Sequence, residues 1–489
     1  MRHLNPLAII AAVLLGLAPA MHAQPSLETG AESKLVEPEF MSTAHYVGEY
    51  QGLYCWIGDG RRHQKRLVLV DHNLQPLKSL TLKHNDEAEV LSTAIDSHYA
   101  SALVLVRDGR RETKIYGMLV DLDSMQSALE EGDFVMLDSI RYDSKDRCLV
   151  WTATSPDRHL MGINLIVEHP KTNSFSAHAC VLDARLQRVW EREYDMGSTR
   201  EMCLANDATM ATFSYESDKE GTHFVVNVLQ PDTAATYEVE VKGDPVMDMR
   251  LAGLTGHHLM AMGTFRPADS RERDQLCGGV VAMTFDIDSA RMTGYTMRPF
   301  QNEDLNILYN KKTKKMQRNT TPDLVSVVDV TTTGYGAAIC LGRNYRHGKT
   351  EDNGTETFRY CRDGLHVVAM DTTGEIVWAR NMRRCDMQKE GDDQLVVSFS
   401  AVGDQTVLLK NEHVKYPSIY DIAAEAKQLT VGDKTNMVCY TIGHDGEVSK
   451  TVLEGKTKQQ LHYSHYDNDG SLIYYTIHGK RTRMAKLKL

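Results

Sequence analysis

An all-β fold is what the sequence predicts, and three observations predict it. Apolar residues alternate at period two from about Tyr46 to the C-terminus, and Gly, Asp, Asn and Ser punctuate the runs. Helical periodicity is nearly absent. Strand-turn-strand units then recur along the whole chain, clearest where His366-Val-Val-Ala-Met370 passes through Asp371-Thr-Thr-Gly374 into Glu375-Ile-Val-Trp378.

In chain order, the pairs of this kind are Arg66–Asp71 with Leu77–Leu82, Ala179–Asp183 with Val189–Trp190, and Phe224–Leu229 with Tyr237–Val241. They continue with Val280–Asp286 and Thr293–Met297, His366–Asp371 and Ile376–Trp378, then Met437–Ile442 and Val448–Leu453. Pairs of a second kind lie between them: Leu324–Val330 with Tyr335–Leu341, Gln394–Phe399 with Thr406–Lys410, and His462–Tyr466 with Leu472–Ile477. Alternating the two kinds gives four-stranded units of about 55 residues, the period of a β-propeller blade. The count is about eight, with seven as the alternative. The first unit lacks an opening strand and the last a closing one, as a ring closed by strands from both termini requires, and Lys34–Phe40 is the expected outer closing strand.

The N-terminus reads as a secretory signal over residues 1–23, with Arg2, an apolar run from Leu7 to Ala18, and cleavage candidates at Ala18-Pro-Ala20 and Met21-His-Ala23. That run is shorter than the about 20 residues a membrane span needs. Residues 24–44 form an N-terminal segment that supplies the closing strand, and residues 45–489 form the propeller. With Cys55 the first cysteine, no residue near the cleavage site carries a lipid. The expectation is an exported, soluble protein, periplasmic or extracellular, neither lipoprotein nor membrane-spanning after cleavage.

A net charge of −11 argues against a general nucleic-acid binder, whose domain would be basic. Of nine cysteines, Cys148, Cys180, Cys340 and Cys439 lie inside apolar runs, where cysteine behaves as a small hydrophobe. Cys361 and Cys385 flank the hairpin and are the candidate bridge. A simple turn at Asp371–Gly374 sets Met370 against Glu375 and Cys361 against Arg384, so the bridge requires a bulge.

Two units share an Asp-to-Trp spacing, Asp183 with Trp190 and Asp371 with Trp378, the second with Gly374 at the turn. On these residues the repeat resembles that of quinoprotein-like propellers, in which an Asp, a turn Gly and a docking Trp recur in each blade. Departures are visible: the Asp371-to-Gly374 turn is one residue shorter, most blades lack the Trp, and no two cysteines are adjacent, whereas quinone-dependent dehydrogenases carry a vicinal pair over the cofactor. The resemblance therefore implies fold and no cofactor. A looser similarity to secreted bacterial propeller proteins implies no activity.

Motifs that would carry chemistry resolve into structure. Asp121 with Asp123, and Asp286 with Asp288, put paired carboxylates on one strand face but sit at strand ends, where Asp caps turns. Asp467-Asn-Asp469-Gly470 places its Gly at position 4 where a calcium loop needs it at position 6. His462 and His465, three apart on a strand, fall on opposite faces, and His257 and His258 lie in a turn, so no catalytic or metal-ligating residue is assigned.

What the spacing does suggest is a binding face. Turns from first to second and from third to fourth strand leave one side of a propeller, and the remaining connections leave the other. The long insertions Pro156–Phe175, Arg266–Cys277, Phe300–Pro322, Arg343–Asp363 and Glu412–Thr435 all fall in the second class. Loops grouped on one side of a rigid scaffold are the usual home of recognition. Within them Lys311, Lys312, Lys314, Lys315 and Arg318 form a basic cluster, and Arg343, Tyr345, Arg346, Tyr416 and Tyr420 add charge and aromatic anchors. The run Met161–Val167 is too apolar for an exposed loop and reads as a cap over that face or a docking patch. The expected function is a non-enzymatic binding scaffold of the bacterial cell envelope, with an envelope protein or anionic glycan as partner. The alternative is a carbohydrate-active hydrolase or lyase working at the mouth of the central channel.

Overall fold

The computed structural model describes residues 26–30, 40, 43–60, 64–83, 88–108, 111–143, 145–172, 174–194, 199–255, 257–267, 277–301, 303–304, 324–350, 356–389, 397–414, 429–430, 434–466, 471–478 and 481–489. Their strands form eight sheets of four or five strands, the blades of an eight-bladed β-propeller. Strand β1 (Ser26–Thr29) stands apart in sequence from the blade it completes. Blade 1 comprises β2 (His45–Tyr50), β3 (Leu53–Asp59), β4 (Lys65–Val70) and β5 (Pro76–Leu82); blade 2 comprises β6 (Ala88–Ile95), β7 (Tyr99–Asp108), β8 (Glu112–Asp121), the short β9 (Gln126–Ser127) and β10 (Val135–Arg141). Blade 3 is β11 (Arg147–Thr154), β12 (Leu160–His169), β13 (Ser174–Asp183) and β14 (Arg188–Tyr194); blade 4 is β15 (Glu201–Leu204), β16 (Met210–Ser217), β17 (Gly221–Leu229) and β18 (Ala234–Lys242). Blade 5 is β19 (Val246–Thr255), β20 (His258–Phe265), β21 (Gly279–Asp286) and β22 (Arg291–Pro299); blade 6 is β23 (Leu324–Thr333), β24 (Gly336–Thr350), β25 (Glu356–Asp371) and β26 (Ile376–Lys389). Blade 7 is β27 (Val397–Val402), β28 (Gln405–His413), β30 (Thr435–Ile442) and β31 (Val448–Thr457), with β29 (Leu429–Thr430) crossing to pair with β26 of blade 6. Blade 8 is β32 (Gln460–Tyr466), β33 (Ser471–His478), β34 (Arg481–Lys488) and β1.

Closure from both termini holds, but through other residues than Lys34–Phe40. Strand β1 pairs with β34, Leu27 opposite Leu487, while Phe40 is buried in the junction of blades 8 and 1. Lys486 Nζ donates to Tyr54 Oη at 2.6 Å across the same seam.

Eight apolar clusters hold the ring, one at each junction between neighbouring blades. A middle strand therefore has no solvent face and reads as a continuous apolar run, as a strand buried on both sides must. This corrects the reading of Met161–Val167. The run is strand β12, buried along its length, with Met161, Ile163 and Leu165 packed against blade 2, so Pro156–Phe175 is no insertion. Outer strands alternate instead, as β18 does between exposed and half-buried positions.

The shared Asp-Trp unit is architectural. Asp371 N–H donates to Glu375 O at 2.9 Å, and its Oδ1 accepts from the amides of Thr373 (2.8 Å) and Glu375 (3.1 Å). Asp183 does the same, its amide donating to Gln187 O at 3.0 Å and its Oδ1 accepting from the amides of Arg185 (2.8 Å) and Gln187 (2.9 Å). The residue that closes each turn is left-handed, Gly374 at φ 85° and Leu186 at φ 62°. A left-handed closing residue adds a bulge, so Met370 faces Ile376 rather than Glu375. Trp190 Nε1 then donates to Ala208 O of blade 4 at 2.9 Å, and Trp378 is buried against blade 7.

A second bulge, between Asp363 and Leu365, lies beside the proposed bridge. It sets Cys385 opposite Asp363 and Cys361 opposite Met387, so the two cysteines are diagonal and not directly opposed. Cys55, Cys148, Cys180, Cys340 and Cys439 are buried.

Candidate functional site

Connections between second and third strands, and between one blade and the next, emerge on a common side, here called the insertion face. Among the described elements, blades 5, 6 and 7 carry its long additions: residues 266–278 join β20 to β21, 300–323 join β22 to β23, and 414–434 join β28 to β30. Two expectations change. Arg343–Asp363 is a prolongation of the β24–β25 hairpin rather than a loop, paired through Thr350 opposite Glu356. The opposite side also has one long connection, from β8 to β10, which contains β9.

Buried polar networks fix the roots of two insertions. At the junction of blades 5 and 6, Asp304 begins the 300–323 connection with its side chain 4% exposed. Its Oδ2 accepts from Arg298 NH1 at 3.0 Å and from the Gln301 amide at 2.9 Å, and its Oδ1 accepts from Asn381 Nδ2 at 2.8 Å. With the Asn381 amide nitrogen so used, its Oδ1 faces His366 Nδ1 at 2.7 Å, and Arg298 NH1 lies 3.2 Å from His366 Nε2. Nδ1 therefore carries the proton and Nε2 accepts. Burial pushes the His366 pKa down, helped by Arg298 and opposed by Asp304 and Asn381. Burial alone would raise Asp304, but His366, Asn381, the Gln301 amide and Arg298 together hold it below the usual carboxylate range.

At blade 7, Glu412 ends the strand that leads into residues 414–434. Burial disfavours its charge, yet Lys410 at 3.0 Å, Lys450 Nζ at 2.6 Å and the Tyr440 hydroxyl hold its pKa down to about 2. Both ammonium groups also lie over the Tyr440 ring, 5.5 and 5.4 Å from its centroid. Asn411 clamps the other face of the same strand, donating to Thr435 Oγ1 at 2.8 Å and Gln459 O at 3.0 Å while accepting from the Leu461 amide at 2.8 Å.

The central channel carries a cluster that the sequence did not reveal. Five of the innermost strands, β2, β6, β19, β23 and β32, contain a bulge against their neighbours. Such bulges re-aim side chains. Glu201 on β15, Asp248 and Arg250 on β19, and Asp329 on β23 come within electrostatic range across three consecutive blades. Crowding by the surrounding strands raises the carboxyls of Glu201, which is half-buried, and of Asp329, whose surface nonetheless remains exposed, and Arg250 opposes both shifts. On the insertion side of blades 1 and 2 a cleft of about 550 Å³ is lined by Thr43, His45, Asp59, Glu89 and Arg107, among others. Burial lowers the His45 pKa there, and buried Lys65 bonds Asp59 and Ala88 O in its wall. Among the described residues no group of three or more His, Cys, Asp or Glu is placed to hold a metal ion.

Three of the candidates read from sequence, Arg343, Tyr345 and Arg346, lie on one strand. Arg343 is fully buried in β24 and presents no guanidinium to solvent, because the strand in which it lies continues the sheet of blade 6. Tyr345 and Arg346 are on the same strand, farther out. Lys311, Lys312, Lys314, Lys315, Arg318, Tyr416 and Tyr420 lie outside the described residues, as do residues 1–23. Asp121 and Asp286 cap turns at the Ser124 and Ser289 amides as expected, while Asp123 and Asp288 pair with His98 and His257 at 3.0 and 3.1 Å.

No protein-family model matches the chain, and no curated protein matches it in sequence. Solved structures do resemble it in shape. The WD40 domain of SCAP from fission yeast matches at 10% identity and TM-score 0.43, over 95% of this chain and 98% of that one. The polysaccharide lyase Uly1 matches at 9% identity and TM-score 0.38, over 81% and 89%. The β-propeller domain of the Trilobed protease from Pyrococcus furiosus matches at 10% identity and TM-score 0.37, over 85% and 99%. Nothing specific to quinoproteins accompanies the repeat resemblance, and what the chain has in common with these proteins is the propeller architecture.

Proposed function

We propose that this protein is an exported binding platform of the bacterial envelope, engaging an envelope protein or anionic glycan through the insertion face of blades 5–7. One observation carries this reading: three consecutive blades place long additions on one side. The roots at Asp304 and Glu412 are held by buried charge networks. Rigid roots under variable connections are what a recognition surface needs. The test is affinity capture from an envelope extract with mass spectrometry. Replacing Lys311, Lys312, Lys314 and Lys315 by Glu is expected to leave folding intact and reduce capture, and unchanged capture removes the basic connection from the site.

The second reading, a carbohydrate-active hydrolase or lyase, is favoured by the raised carboxyls of Glu201 and Asp329 beside Arg250. A reducing-end assay on uronate polysaccharides decides it. Turnover by the wild type that is lost in E201Q/D329N establishes an enzyme, and absence of turnover leaves the platform.

A further inference from the structure

The cleft on the insertion side of blades 1 and 2 sets a locked wall against unpaired charge. In the wall, Lys65 is 1% exposed and bonds both Asp59 and Ala88 O, which ties blade 1 to the first residue of β6 in blade 2. Thr43 Oγ1 accepts from the Asp59 amide at 2.8 Å and donates to Phe40 O at 3.2 Å, fixing the approach to β2. Burying an ammonium carries a desolvation cost that its ion pair must offset. What results is a wall held in one shape.

Three ionisable groups line the same cleft without partners. Among the described residues, none of His45, Glu89 and Arg107 has a hydrogen bond or an ion pair. Glu89 of β6 stands opposite Leu105 of β7, and Arg107 follows two residues on, so the two charged residues are diagonal neighbours about 7–8 Å apart at their Cα atoms. A salt bridge could span that distance, yet none forms. Leu105 packs toward blade 3 and Val90 toward blade 1, both buried, so the cleft passes over the end of β6 on an apolar floor. Burial holds the His45 pKa below its ordinary range, opposed by Asp59 and Glu89 and helped by Lys65. Its ring is therefore neutral at neutral pH, with one nitrogen to donate and one to accept.

We propose that this cleft binds a small zwitterion, an amino acid or short peptide, whose ammonium group meets Glu89 and whose carboxylate meets Arg107. Its apolar part rests on Val90 and Leu105, and its amide or side chain reaches His45. The inference goes beyond the platform reading and is carried by other blades. Because Lys65 already neutralises Asp59, Glu89 and Arg107 are left as one unpaired charge of each sign, and a ligand bearing both signs satisfies both. A polyanion would meet Glu89 as a like charge, and a neutral sugar would leave both ions unpaired. About 550 Å³ is room for a ligand of this size.

The test is isothermal titration calorimetry on the full chain with five probes: the dipeptide alanyl-leucine, its N-acetyl form, its C-terminal amide, cellobiose and polygalacturonate. Wild type is expected to bind the free dipeptide, to bind each capped form about tenfold or more weakly, and to bind neither carbohydrate. Arg107→Gln should weaken the free dipeptide by about tenfold and leave the amide within about twofold of its wild-type affinity. Glu89→Gln should do the same for the free dipeptide and the N-acetyl form. Because neither group is paired within the protein, both variants should melt within about 2 °C of wild type, which separates ligand contact from a structural role. Equal binding of free and capped dipeptide, an equal loss for every probe, a larger fall in melting temperature, binding of a carbohydrate instead, or no dipeptide binding by wild type each overturns the inference. If envelope capture fails while the dipeptide binds, the platform falls and the cleft stands; without dipeptide binding the cleft falls whatever capture shows.

Discussion

Blades 3 and 6 share one hairpin and differ at its other end. In both, an Asp closes the outer turn, a left-handed residue follows three positions on, and a Trp docks on the next blade. On the insertion face, however, β12 returns to β13 within residues 170–173, whereas β24 and β25 run on to Thr350 and Glu356. The turn side of the ring must meet its neighbour through fixed contacts, so its chemistry repeats. The other side meets solvent and is free to lengthen without disturbing the junctions. This division of labour predicts that damage to the turn side or to the buried roots destabilises the fold, and that damage to the insertions beyond those roots alters what the protein binds.

The largest test of that division replaces the docking tryptophans. Trp190→Ala and Trp378→Ala each remove a buried indole from a blade junction, and each is expected to cost about 3–5 kcal/mol of stability. Urea unfolding measures both. If one costs less than half of the other, the two hairpins are not equivalent and the comparison breaks.

Comparable in size is Glu412, the penultimate residue of β28 as Glu168 is of β12, here held between Lys410 and Lys450. Its folded pKa is depressed to about 2 from an ordinary 4.5, so the stability it contributes is present above about pH 4.5 and is lost as pH falls toward 2. The shift corresponds to about 3 kcal/mol. Acid titration of the unfolding free energy should therefore fall in this window for wild type and less steeply for Glu412→Gln. At neutral pH that variant should lose about 3–5 kcal/mol, because Lys410 and Lys450 keep their charges without the carboxylate. Coincident titrations of the two proteins would show that the network does not stabilise the root.

A smaller effect separates the root at His366 from the turn at Asp183. The His366 pKa lies below its ordinary 6.5, so the unfolded chain takes up a proton first as pH falls. Stability from the neutral ring is complete above about pH 6.5 and is lost below it. Hydrogen exchange at the Gln301 amide, bonded to Asp304, should quicken below that pH after correction for intrinsic rates, while the Arg185 and Gln187 amides on Asp183 should not respond. A shared response would mean general loosening of the ring.

Much of this fold was legible because burial imposes it. The hairpins at His366–Trp378 and Ala179–Trp190 are legible from their alternation and turn residues, since the outer strand of each mixes exposed positions with a buried Trp. Strand β12 was not, because burial on both faces erases alternation. The extension of blade 6 reads as a loop in sequence for the opposite reason: Asn344–Thr350 has a polar composition with no apolar period. The channel cluster depends on bulges that change side-chain parity, and the His366 network joins residues up to 77 positions apart. Neither leaves a local pattern.

The finest test concerns the left-handed position itself, Leu186 in one blade and Gly374 in the other. At φ 85° an L-residue at 374 meets backbone strain, and a Cβ there would lie 3.1 Å from Gly294 Cα of blade 5. Gly374→Ala should cost about 1–2 kcal/mol by urea unfolding, on the strain term alone. Asn tolerates the left-handed region better than Ala but brings the same Cβ. If handedness dominates, Gly374→Asn is the milder change, and the position is interchangeable in kind with Leu186. If the approach to blade 5 dominates, Ala and Asn cost the same, and Gly374 is required by the neighbouring blade rather than by its own turn.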